Sequence, residues 1–216
     1  MMEAEEIKRQ KEALIQKYTD GVNNNFDRWQ PYLNDELLWP EMRYARDEII
    51  DCLLTGTYQA AITLTNHFLE KSLKLALVYH STGGKKVHFA NQMQTYEEAL
   101  AKFGDSDLSQ TINACCSKGL IDKERKKTLQ RHRNTFRNAY GHASADKTFG
   151  TLTAPSAILP TGNPAHYKIE VNTIASMPYV QGMAQQLLAE MDAIPYFEYV
   201  YETHKLLEQS VENPQQ

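Results

Sequence analysis

Cysteine is scarce: Cys52, Cys115 and Cys116 are the only three in 216 residues. An odd count with two adjacent members builds no disulfide framework, because neighbouring cysteines bond only with strain. Reduced, buried thiols of a cytoplasmic protein are the expectation. No C-x₂₋₄-C pair is present, so the common zinc motifs are excluded and no metal or cofactor is expected. Ten glycines and eight prolines are too few for a collagenous or largely disordered chain. No apolar run approaches the ~20 residues of a membrane span, so no membrane association is expected. The opening MMEAEEIKRQKEALIQKY is charged and helical in pattern, unlike a secretory signal. Positive charge is also short, 23 Lys and Arg against 27 Asp and Glu, for a net −4. That excludes a wholly basic nucleic-acid binder but leaves room for a local basic patch.

What remains is the composition of a globular protein, 42% hydrophobic and 23% charged, long enough for one domain with appendages. Its patterning is helical. Residues 3–18 suit a surface helix, and Gly21, Asn23, Asn24, Asn25 and Pro31 predict its end within 19–34. A second helix is expected over 41–54, starting just after Pro40. A third spans 57–79, where Tyr58, Ala61, Ile62, Thr65, Phe68, Leu69, Ser72, Leu75, Ala76 and Tyr79 form one stripe. Leu64, Leu73 and Leu77 lie off it, which marks this helix as central. Shorter helices follow at 95–103 and 107–118, then a long one over 121–141, with Leu129, Phe136, Ala139 and Tyr140 on one face. Between 143 and 173 prolines and glycines surround two β-prone pieces, TFGTLT and YKIEV, which predict a loop or small hairpin. Helix returns over 178–210, with Pro195 expected to break or kink it.

Charge is concentrated in one place. From Lys118 to Arg137 there are eight Lys or Arg against two acids, a surplus of six in a chain whose total is −4. Such a run is commonly a solvated helix face. On charge alone that is the favoured reading, and the sharper alternative is the electrostatic footprint of a polyanion site. Lys123, Arg125, Lys126, Lys127, Arg131 and Arg133 are its candidate RNA contacts.

The basic helix closes on Arg137-Asn138-Ala139-Tyr140-Gly141-His142. With AITLTNHFLEKSLKLAL upstream and NACCSKGLIDKERKKTLQRHRNTFRNAYGH around the motif, residues 41–145 resemble the HEPN superfamily. Its signature is an Arg, often followed by a polar residue, with His four to six residues beyond the Arg. The resemblance implies an antiparallel all-α bundle with a loop or β-hairpin insert after the motif helix. The corresponding organisation is an N-terminal helical extension at 1–34, a core at 35–145, an insert at 146–176 and C-terminal helices at 177–216. It implies a metal-independent endoribonuclease, a toxin or antiviral-defence effector, with Arg137, His142 and Asn138 as catalytic residues. A noncatalytic module of the same type, binding a nucleotide or a protein, is the alternative. Implied partners are RNA, a second copy in a homodimer, and an antitoxin or defence-system protein. Members paired with nucleotidyltransferase antitoxins carry a tyrosine two residues beyond the His; here Ser144 stands there.

The residue types suit that chemistry. His142 titrates near neutrality and can move the 2′-hydroxyl or leaving-group proton. Arg137 stays charged and presents a planar fork to phosphate oxygens. Asn138 can orient either group. On an ideal helix, positions five apart diverge by about 140°. A loosened helix at Gly141, or two copies sharing a cleft between their 121–142 helices, resolves that divergence. In the shared-cleft arrangement Phe136 and Tyr140 are the candidate apolar contacts. His67 and Glu70 are expected as a structural pair or as surface residues, with support of Arg137 by Glu70 across the core as the alternative, and His132 is incidental.

Overall fold

The computed structural model describes residues 2–83, 93–137, 149–158 and 168–212. Helix dominates, with one small antiparallel hairpin. The helices are α1 (Met2–Asn34), α2 (Arg43–Leu54), α3 (Tyr58–Ser81), α4 (Met93–Phe103), α5 (Leu108–Ser117), α6 (Lys123–His132) and α7 (Pro178–Glu212). Strands β1 (Thr153–Ile158) and β2 (Lys168–Thr173) pair between α6 and α7, with Pro155 opposite Val171.

Helix α3 is the centre of the core. Leu69, Leu73, Ala76 and Leu77 are fully buried on it, so it is covered on more than its predicted stripe. α7 lies along it in the same direction: Tyr196 donates to Asn66 Oδ1 at 2.7 Å, and His204 meets Ser72 further along both helices. α3 and α7 are therefore parallel, while α2 runs back between α1 and α3. Tight turns fix these reversals. Gly56 (φ 68°) and Gly119 (φ 74°) occupy the left-handed region that a side chain disfavours. At α5, Asp107 and Gln110 form a reciprocal capping box.

Three boundaries differ from the sequence reading. Residues 19–34 do not break α1, which runs through them to Asn34. Gly21 is not a breaker there; it lets α1 touch the α2–α3 turn, where an added Cβ would sit 2.2 Å from the Leu54 carbonyl oxygen. Pro31 stands in the last turn, and its cost is offset by burial of Trp29 beside it. Pro195 does not break α7, because Ala193, Tyr196 and Phe197 anchor both sides of it in the core. TFGTLT is not the first strand. Phe149 is buried, Gly150 turns the chain at φ 53°, and β1 starts at Thr153. Pro155 is accommodated within β1 because a two-stranded hairpin leaves outer edges where a missing N–H is tolerated.

All three cysteines are free, but of the expected buried thiols only Cys115 is fully buried, Cys52 and Cys116 being partly exposed. Cys115 is buried, its Sγ 3.6 Å from the Leu73 carbonyl, and burial pushes its pKa up to about 12. It is a core residue with no thiolate chemistry at neutral pH. No described helix is long and apolar enough to cross a membrane.

Candidate nucleic-acid interface

The basic helix starts from Asp122, whose carboxylate accepts the Arg125 N–H at 2.6 Å and caps α6. Leu129 faces the core and is fully buried. Opposite it, Lys123, Lys127 and Arg131 stand four residues apart and all are exposed, forming one positive row. Lys126 and Arg133 are half-buried beside that row. Arg125 is not part of it. Its guanidinium donates to Thr203 Oγ1 at 2.8 Å, lies 5.2 Å from the Tyr199 ring centroid and 3.7 Å from Glu202. That side chain fastens α6 to α7, so five of the six candidate RNA contacts remain on or beside the open face.

After His132 the α-helix widens into a π turn over Arg133–Arg137. Its i→i+5 bonding replaces the tighter α spacing, so positions five apart stack more closely on one side. The helix loosens here, earlier than Gly141. Arg137 closes the turn with its side chain 36% exposed, and its Nη2 stands 3.5 Å from Glu70 Oε2 on α3. Lys74 takes the other carboxylate oxygen at 3.0 Å and donates to the Gly104 carbonyl at 2.7 Å. Glu70 thus ties together two cations from different elements, leaving the cluster one charge positive. Asp107 adds a second carboxylate nearby. The Gln110 N–H bond chiefly, with Arg133 and Arg137 contributing, holds it below the ordinary carboxylate range. Asn138, Ala139, Tyr140, Gly141 and His142 lie outside the described residues.

Phe136 is not available to join two copies. It is 7% exposed, with its ring 4.2 Å from that of Tyr196. His132 belongs to the core rather than to the open face. Its ring sits among Phe136, Tyr196 and Tyr199 at centroid distances of 5.4, 5.2 and 4.9 Å, and Nδ1 is buried without a partner. Burial first, then the Arg131 charge, brings its pKa down to about 4, so the ring is neutral at pH 7. His67 is exposed on α3.

Lys74 and Asp107 stand near Arg137 although sequence alone gives them no role. The Glu70-x₃-Lys74 spacing was the one legible signal, since i,i+4 pairs meet on a helix.

A second polar cluster lies in the core. His204 Nδ1 is 3.0 Å from Ser72 Oγ, and Nε2 is 3.2 Å from Glu208 Oε1. The Trp39 N–H donates to the same oxygen at 2.7 Å. Burial pushes the Glu208 carboxyl up, but His204, the Trp39 N–H and Lys205 outweigh it and hold it below its usual range. Ser, His and Glu in one line invite comparison with a hydrolytic triad. All three are 0–1% exposed, and the Ser72 hydroxyl is spent on the Phe68 carbonyl at 2.8 Å. No substrate reaches such a serine, and the cluster joins elements instead.

No family model, curated protein or solved structure matches the chain. Among the described residues no group of three His, Cys, Asp or Glu side chains is arranged to hold a metal ion.

Proposed function

We propose that this protein is an endoribonuclease of HEPN type that needs no metal ion, acting as a toxin or antiviral-defence effector. Arg137, Asn138 and His142 form its reaction centre. The observation that carries the reading is Arg137 itself. It stands half-exposed at the end of a π turn, held by Glu70 beside Lys74, and directly follows an open row of positive side chains. A row of cations tracks an RNA backbone, and a fixed guanidinium at its end meets the phosphate where charge develops. Glu70 acts as a positioning residue: it fixes the fork of Arg137 while Lys74 keeps the local field positive.

In this reading His142 takes the proton from the 2′-hydroxyl as that oxygen attacks the adjacent phosphorus. Arg137 stabilises the pentacoordinate phosphate, and the leaving 5′-oxygen receives the proton that His142 took up. The products are a 2′,3′-cyclic phosphate and a 5′-hydroxyl end. RNA is the substrate, the working unit is a homodimer, and an antitoxin or defence-system protein restrains it.

The test is expression of wild-type, Arg137→Ala and His142→Ala proteins with sequencing of cellular RNA ends. Cuts bearing cyclic phosphate that vanish in both variants, and persist in EDTA with purified protein, support the reading. RNA binding without cuts assigns the chain to the noncatalytic alternative. Strict dependence on Mg²⁺ or Mn²⁺ overturns the chemistry.

A further inference from the structure

Helix α1 carries an apolar stripe with an 11-residue rhythm: Ile7, Tyr18 and Trp29 on one line, Val22 and Leu33 on the next. The body covers only its C-terminal end. Trp29 is 1% exposed and packs on Phe197 at 5.8 Å, whereas Ile7, Leu14, Tyr18 and Val22 are 47, 53, 43 and 41% exposed. Gly21 marks where α1 meets the α2–α3 turn, so the twenty residues before it project past that end of the bundle. α7 does the same. Its Gln186 and Ala189 line one cavity with residues 56–60 of that turn, and Met183 and Leu187 on its outer side are 71 and 60% exposed. Two projecting segments thus leave the same end of the molecule, each with an uncovered apolar row.

We infer that these segments of α1 and α7 are the surface through which two copies of this chain associate. Three arguments select a second copy. The first is area. From Ile7 to Phe26 and from Tyr179 to Met191 there are ten exposed large apolar side chains. At roughly 80 Å² each they offer about 800 Å², the contribution of one partner to a standard stable interface. The second is charge. Residues 4–22 hold four acids and four bases, and residues 178–191 one acid, so a copy meets no net repulsion. The basic 118–137 segment, with its surplus of six, repels its own copy and has Phe136 committed to the core. The third is helix stability: most helical stability in proteins comes from packing of an amphipathic face, and residues 4–20 are almost wholly exposed. This inference stands on the apolar rows alone and does not rest on the ribonuclease reading.

Sedimentation velocity of the full chain, from nanomolar to about 100 μM, tests it. Wild type is expected to sediment as a dimer of 24.7 kDa chains at micromolar concentration. Leu14→Glu with Tyr18→Glu, and separately Met183→Glu with Leu187→Glu, are expected to give monomers with α3 and α7 still folded. Lys127→Glu with Arg131→Glu should remain dimeric. Amide exchange of residues 4–20 provides an independent readout, with protection that rises with protein concentration. Wild type that is monomeric throughout, with concentration-independent exchange, overturns the proposal. So does a dimer that survives both stripe variants.

Discussion

At His132 a single ring carries opposing demands. It fills an aromatic box, yet Nδ1 has no hydrogen-bond partner there. Because its folded pKa is about 4, below the ordinary 6.5, the unfolded chain binds the proton more readily. The stabilisation from keeping the ring neutral is therefore complete above about pH 6.5 and is lost as pH falls toward 4. His132→Phe is expected to retain the packing, remove the unpaired nitrogen and raise Tm at pH 5 more than at pH 8. Thermal melts of both proteins across that range check it; an equal shift at every pH would rule out titration of His132 as the cause. Glu70 makes the corresponding case for function. Glu70→Gln keeps the shape but weakens the hold on Arg137, so cleavage should fall about tenfold or more while RNA affinity holds or rises, one negative charge having left the cluster. Single-turnover rates set beside filter-binding constants separate the two effects.

On the scale of elements, α6 divides its cations by geometry. Lys123, Lys127 and Arg131 recur every fourth residue on the open side, while Arg125 points to α7. Replacing the three exposed residues by Glu should lower the salt dependence of RNA binding by roughly 0.7 per lost contact, with Tm little changed. Arg125→Glu should behave in the opposite way, lowering Tm by loosening α6 from α7. Binding titrations at several salt concentrations, paired with melts, distinguish these roles. α1 poses a contact of a different kind. Its approach to α2 leaves no space for a Cβ at Gly21, so Gly21→Ala should cost about 1–3 kcal/mol despite alanine's higher helix propensity. A denaturant midpoint that rises in this variant would show that α1 does not seat on the α2–α3 turn as described.

Across the whole molecule, the buried Ser72–His204–Glu208 line connects α3, α7 and the link before α2 through the Trp39 N–H. Arg46 serves the neighbouring joint: it is 1% exposed and donates to the Asp35 and Leu33 carbonyls at 2.6 and 3.2 Å. Such polar ties fix which helices neighbour one another, where apolar packing alone would accept several arrangements. Removing one member leaves others buried and unpaired, so Glu208→Ala should cost about 3–5 kcal/mol. Chemical unfolding measures it, and a loss under 1 kcal/mol would remove the cluster from the list of structural ties.

Helix order, the central place of α3, the free cysteines and the basic run were legible in the chain itself. Apolar spacing and charge are local properties that the helix repeat turns directly into faces. The support of Arg137 by Glu70 was legible only as an alternative to a His67–Glu70 pair or a surface position, because the sequence does not say which face of α3 the motif helix meets. Other features depended on neighbours far along the sequence. Gly21, Pro31 and Pro195 look like breakers to any local rule, yet burial of Trp29, Tyr196 and Phe197 outweighs their propensity. The π turn at Arg133–Arg137 and the burial of Phe136 follow from α6 fitting against α7. The division of α1 into a covered and an uncovered part has the same origin. Its stripe runs the helix's length, and only the reach of α2 and α7 decides where the core ends and an open surface begins.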